Sequence, residues 1–357
     1  MRFTKLQLAA SAVVAVMAST ANAQSSVTLY GIANTAFVFT NKTANASGGN
    51  AGQTFAVVDG GDGPSLFGIR GVEDLGSGLK AEFRLESGIN MANGGFNSSN
   101  GNFFGRQAWV GLEGQFGMVK AGLQLSPFFS ALYESDPRQF SEFGSGLVIL
   151  GDNVLVTSAF NANAVSYTSP TLAGFQGQAM LALGGQAGDF SAGRQWSASL
   201  KYENGSVMIN AAIYDGNSGG TVQTPFPSTV AFEGRTIGAA YTFGSLIIKA
   251  SFVNYKVAQS FNSNVYGGGL KYQITPSTDL NGGVWYSTDR NDTANHSVLA
   301  AVGTSYHISK RTSVYVQAAL VNNHGAMNTG LSLSEFSLLR GVAGTTVGAN
   351  VGIRHTF

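Results

Sequence analysis

Residues 346–357 read Thr346-Val347-Gly348-Ala349-Asn350-Val351-Gly352-Ile353-Arg354-His355-Thr356-Phe357. In an extended chain Val347, Ala349, Val351, Ile353, His355 and Phe357 share one face, and Thr346, Gly348, Asn350, Gly352, Arg354 and Thr356 share the other. A two-residue period is the period of a strand. One face is apolar, while the opposite face is small and polar with a single charge.

The same split recurs upstream. Val207, Ile209, Ala211 and Ile213 alternate with Met208, Asn210, Ala212 and Tyr214. Val298, Ala300, Val302, Tyr306 and Ile308 alternate with Ser297, Gly303, Ser305 and His307. Seven short connections, at 74–78, 113–116, 169–174, 203–205, 244–245, 275–277 and 309–311, carry Gly, Pro, Asn, Ser or Asp, the residues that tight turns need. Seven hairpins and two lone strands, at about 27–39 and 345–357, predict 16 strands, an even number that suits a closed barrel. Long connections fall near 40–63, 90–102, 126–161, 185–193, 215–233, 257–263, 289–295 and 323–344, all at the opposite end.

Composition says which medium surrounds these strands. Only 11% of the 357 residues are Asp, Glu, Lys or Arg, against roughly 25% in an average soluble domain. A soluble sandwich would need a far more charged exterior. Beyond the N-terminus no run of about 20 apolar residues could form a membrane-spanning helix. Apolar residues at 44% and aromatic ones at 11% exclude disorder. A formal charge of +1 gives no basic footprint for nucleic acid. The absence of Cys removes disulfides, thiolate metal sites and cysteine nucleophiles. What remains is an all-β, 16-stranded antiparallel transmembrane β-barrel, apolar toward lipid and polar toward water. Closure is compelled, because an open edge in lipid leaves backbone groups unpaired at several kcal/mol each. In such barrels short turns face the periplasm and long loops the exterior.

The first 23 residues read as a signal peptide. Arg2 and Lys5 precede an apolar stretch at Leu8–Ala18, and Ala21-Asn22-Ala23 fits the small-x-small cleavage pattern. The barrel domain is therefore expected over 24–357. At the short-turn end Tyr202, Tyr241, Phe243, Tyr272, Tyr306 and Phe357 suit a headgroup-level girdle. Catalytic chemistry finds no support. His296, His307, His324 and His355 contain no i, i+4 pair. A lipase would need a Ser beside an outward His, and none is indicated for His355. Gly267-Gly268-Gly269 lies inside a strand and reads as close packing, not a phosphate cradle. No enzyme activity, cofactor or metal is expected.

Five stretches together are highly specific: Ser26-Val27-Thr28-Leu29-Tyr30-Gly31, Phe67 to Gly76 with Gly78 to Ala81, Arg106 to Leu112, Val165 to Pro170 with Gly174-Phe175, and the terminal Phe357. In this order the full chain resembles the trimeric general porins of Gram-negative outer membranes, particularly the betaproteobacterial branch. The resemblance implies a passive water-filled channel for ions and small hydrophilic solutes, without energy input. It implies a homotrimer amid outer-membrane lipid and lipopolysaccharide, and Phe357 as part of the signal for the barrel-assembly machinery. The alternatives are a substrate-selective channel and a plugged barrel acting as a surface adhesin.

The resemblance also implies that the third long loop, about 126–161, folds inward and constricts the pore. That loop holds Glu134, Asp136, Arg138 and Glu142, and Ser141-Glu142-Phe143-Gly144-Ser145-Gly146 is similar to the family's acidic loop tip. The family faces such carboxylates with basic residues on the barrel wall. Strand parity points Lys80, Glu82, Arg84 and Glu86 inward, and Arg106 inward beside an outward Trp109. Arg70, Lys120, Lys249, Lys271 and Arg354 are further inward candidates. Leu66, Ala159, Phe160 and Ser166 stand where the branch tends to carry arginines. That thinner wall implies weak selectivity or a shift toward cations.

Overall fold

The computed structural model describes residues 26–97, 102–153, 159–222, 230–334 and 336–357. The expected signal peptide, 1–23, lies outside them. The strands are β1 (Ser26–Ala44), β2 (Asn50–Asp59), β3 (Leu66–Gly76), β4 (Leu79–Gly88), β5 (Gln107–Gly114), β6 (Gly117–Leu125), β7 (Phe160–Thr168), β8 (Phe175–Ala182) and β9 (Gln195–Asn204). They continue as β10 (Val207–Gly216), β11 (Phe232–Phe243), β12 (Leu246–Val257), β13 (Asn262–Thr275), β14 (Thr278–Asp289), β15 (His296–His307), β16 (Thr312–His324) and β17 (Gly344–Thr356). All pair antiparallel, and β17 returns to β1 in a ladder from Ile32–Thr356 to Thr40–Gly348. Gly31 and Phe357 close the seam, each N–H donating to the other's carbonyl at 3.1 Å.

Seventeen segments make 16 staves, because β2 and β3 are one stave broken in two. Both run antiparallel to the same edge of β1, with Asp59 opposite Thr35 and Leu66 opposite Ile32. Residues 60–65 leave the wall between them. Asn34 Nδ2 donates to Asp62 Oδ1 and to the Gly63 carbonyl, both at 2.6 Å. Tyr315 Oη donates to Asn34 Oδ1 at 2.7 Å and lies 3.1 Å from the Gly60 carbonyl. Asn34 and Tyr315 lie on inward faces, so the excursion points into the lumen. Gly60 (φ 78°) and Gly61 (φ 138°) supply backbone that other residues rarely adopt. The long connection expected at 40–63 is therefore mostly strand.

All seven expected short turns lie between consecutive strands. The outward face is as the alternation foretold: Val351, Ile353, Val302, Val316 and Ile248 are exposed there. Tyr241, Phe243, Tyr272, Tyr306 and Phe357 are exposed near the short turns, and Tyr202 sits 4.8 Å from Phe175. A second outward row crosses the long-loop end: Phe252, Tyr266, Tyr286, His296 and His324 neighbour one another at 4.5–6.5 Å between ring centres. Two belts at two levels match two membrane interfaces.

Candidate functional site: the lumen and its inward loop

The connection after β6 carries helix α1 (Pro127–Ser135) and helix α2 (Gly146–Asn153). Ser126 caps α1, its Oγ accepting from Phe129 N–H at 3.0 Å, and Pro127 occupies the first turn, where no amide partner is lost. Pro137 follows the helix and cannot continue it. The buried face of α1 is Phe128, Ala131, Leu132 and Ser135. It lies on an apolar patch of the inner wall. Phe128 has Tyr214, Phe232 and Tyr255 at 6.1–6.4 Å. A Cβ at Gly234 would come within 2.6 Å of the Phe128 ring, so the close approach requires glycine. Polar contacts align the helix: Ser197 Oγ accepts from Phe128 N–H at 3.0 Å, and Asn210 Nδ2 donates to the Ala131 carbonyl at 2.9 Å.

Past α1 the loop crosses toward the opposite wall. Arg138 Nε donates to Asn281 Oδ1 on β14 at 3.0 Å, and an Nη donates to Gln317 Oε1 on β16. Gly144 N–H donates to the Leu331 carbonyl, and Leu333 N–H to the Glu142 carbonyl, tying it to the 325–343 connection. That connection carries the short helix α3 (Phe336–Leu339).

The four charged loop residues do different jobs. Glu134 anchors the end of α1, with Lys201 at 3.0 Å and Asn210 at 3.2 Å. Lys249 Nζ donates to the Glu134 and Asp136 carbonyls at 2.7 and 3.1 Å. The Asp136 carboxylate accepts three backbone N–H bonds, from Arg138, Phe140 and Gly146. These hold a turn in which Gln139 (φ 52°) and Phe140 (φ 56°) are both left-handed, a conformation costly for non-glycine residues. Burial raises the Asp136 pKa against those bonds. Burial lowers Arg138 to about 10, so it stays charged at neutral pH. Glu142 is 2% exposed, and its Oε2 has no hydrogen-bond partner among the described residues. It packs on Gly60, where a Cβ would sit 1.9 Å from Oε2. Burial, then the charge of Asp59, pushes it up to about 8, with Arg106 opposing. At pH 7 Glu142 is mostly a neutral acid.

Across the lumen, Arg70, Arg84 and Lys120 gather on β3, β4 and β6. Arg70 pairs with Arg84 in the ladder, and Lys120 lies opposite Gly111 on β5. Aromatic rings sit beside their charged heads: the Arg70 and Arg84 guanidinium carbons each lie 5.8 Å from the Tyr30 ring centre, and Lys120 Nζ lies 5.1 Å from that of Trp109, distances at which a cation is attracted to a ring face. None of the three makes an ion pair with a described residue. Arg106 differs, since its Nε donates to Glu86 Oε1 at 3.0 Å and its guanidinium stacks on Phe160 at 5.2 Å. Lys80 stands apart, near the β3–β4 turn and 4.0 Å from Glu113. Arg70, Arg84, Lys120 and Arg106 are thus brought together, Lys80 is not, and the loop charges are turned to docking.

One orientation expected from parity is reversed. Trp109 faces inward, 8% exposed and beside Arg84, whereas Val110 is 60% exposed to lipid. Arg106 still reaches the lumen because β5 begins one residue later, so strand alternation does not apply to it. Tyr30, Asp59, Asp62, Asn281 and Gln317 were not singled out from sequence. Tyr30 and Gln317 show only as inward positions, and the other three need the fold.

A family described as Gram-negative porin matches residues 9–326. The outer membrane porin protein 32 of Delftia acidovorans is 31% identical over 94% of this chain and 95% of its own. An outer membrane porin protein of Bordetella pertussis is 28% identical over 99% of this chain and all of its own. Among solved structures, the anion-selective porin from Comamonas acidovorans is similar at a TM-score of 0.79, with 26% identity over 94% of this chain and 100% of that one.

Proposed function

The chain belongs to the Gram-negative porin family and is an outer-membrane channel for passive diffusion, and within that role we propose that the 126–159 loop constricts it and that it prefers anions. One observation carries the preference: Arg70, Arg84 and Lys120 make no ion pair with a described residue and outnumber Glu82, the carboxylate in their row of the wall, while the loop carboxylates are bound, capped or neutral. A narrow, water-filled passage with unmatched positive charge lowers the barrier for anions and raises it for cations. The similar Comamonas protein is described as anion-selective, which agrees. The wall read from sequence, with Leu66, Ala159, Phe160 and Ser166 where the branch tends to carry arginines, pointed instead to weak selectivity or a shift toward cations.

The reading extends to a homotrimer in lipid and lipopolysaccharide, with Phe357 serving the assembly machinery and no catalytic step. The direct test is reversal potential across a planar bilayer under a KCl gradient. The expected sign is that of chloride carrying more current than potassium, and Arg84→Gln with Lys120→Gln should move the potential toward or past zero. A cation-selective wild type would sink the proposal. Chemical cross-linking of the detergent-solubilised barrel should give a trimer, and a monomer alone would refute that extension.

A further inference from the structure

Beneath the 126–159 loop, on the β13–β17 side of the lumen, lies a hollow of about 330 Å³. It is separate from the Arg70–Arg84–Lys120 wall. We infer that this hollow binds a small, multiply charged oxyanion of phosphate size. The inference rests on the porin reading only for access, and not on the channel's ion preference.

Five cationic side chains line it, Arg138, Lys271, Lys310, Arg311 and Arg354, against two carboxylates, Asp62 and Asp279. Asp62 lies 3.6 Å from Arg354, and Asp279 is hydrogen-bonded to His307 Nε2 at 2.9 Å, so cations outnumber carboxylates around the hollow. Arg138, Lys271, Lys310 and Arg311 have no carboxylate within ion-pair distance among the described residues. Repulsion within such a cluster is relieved by a bound anion.

The deep end is built rather than merely charged. Arg138 is 5% exposed, and its guanidinium is fixed by three neutral acceptors: Asn281 Oδ1, the Gly144 carbonyl and Gln317 Oε1. A planar guanidinium held in place is the donor best matched to an oxyanion. Gln317 is 3% exposed. Its Oε1 is assigned by the Arg138 donor and lies 2.9 Å from Ser141 Oγ. That leaves Nε2 as a buried donor without a partner among the described residues. Buried donors without acceptors are uncommon in folded proteins, so polar capacity remains unused in a residue that lines the hollow. Lys271, whose Nζ donates to Gln139 Oε1 at 3.1 Å, adds a further charge, and Lys310 and Arg311 on the β15–β16 turn stand at the mouth.

The test is isothermal titration calorimetry of inorganic phosphate into the full, detergent-solubilised barrel at low salt and neutral pH. The expected result is saturable binding that weakens at least tenfold in Lys271→Gln and in Lys310→Gln with Arg311→Gln. The second variant changes only exposed turn residues and leaves the fold intact. Absence of saturation in the wild type overturns the proposal, as does equal affinity in both variants. Loss of binding on Arg84→Gln with Lys120→Gln alone would move the site to the other wall and also overturn it. A cation-preferring channel that binds phosphate through Lys271 would refute the ion preference and leave this site standing.

Discussion

Glu142 shows how burial changes the meaning of a residue. In sequence it is one of the loop's carboxylates, and a counted charge. In the fold it lies against Gly60, with Asp59 and Asp62 as acidic neighbours and Arg106 as the opposing cation. The pKa of about 8 lies above that of a solvated Glu, roughly 4.3. Below both values the packed and loosened states are equally protonated. As pH rises between them, only the loosened state releases its proton, so the packed loop loses stability up to about pH 8 and the loss then levels off. The predicted loss is of the order of a few kcal/mol. Glu142→Gln keeps the shape and removes the titration. The difference in melting temperature between variant and parent, in detergent from pH 4 to 9, should therefore grow in the variant's favour as pH rises. A difference that stays flat would mean the carboxyl reaches water.

At the level of elements, the strands were legible and the docking of the loops was not, for one physical reason. Lipid on one side and water on the other write an alternation into each strand locally, so Val347 to Phe357 declare their face without any partner. The inner face is polar only where it meets water. Tyr214 falls on the small, polar face of its strand by parity, and in the fold it is fully buried under Phe128 with Phe232 and Tyr255. Such aromatic residues mark where α1 lands, and that mark is readable only when α1 is known to come inward. The broken stave is similar: Asp59-Gly60-Gly61-Asp62-Gly63-Pro64 reads as a loop, and only pairing of both flanks with β1 shows that the wall continues. Phe128→Ala should cost roughly 3–5 kcal/mol at this contact, measured as earlier denaturant unfolding, and should make single-channel currents noisier as the loop loosens. Ser126→Ala, which removes the cap, should cost about 1 kcal/mol. Equal effects of the two would mean that Phe128 does not hold the loop.

At the level of the whole molecule, selectivity is a balance of where charges are matched and where they are not. The formal charge of the chain is only +1, so net charge cannot set an ion preference. Distribution can. Glu86 answers Arg106 and Lys201 answers Glu134, both at 3.0 Å. Among the described residues, cations without an ion pair face the lumen in two groups, three on the β3–β6 wall and four around the hollow beneath the loop. These act on passing ions across water, so salt screens them, with a Debye length of about 10 Å at 0.1 M and about 3 Å at 1 M. Anion preference should therefore be strong in reversal potentials measured near 0.1 M KCl and largely lost near 1 M. Conductance should correspondingly rise less than proportionally with salt at the low end, where the fixed cations already concentrate chloride. Preference that persists undiminished at 1 M would require a contact filter narrower than the screening length, and would point to Arg84 and Lys120 touching the ion directly rather than through their field.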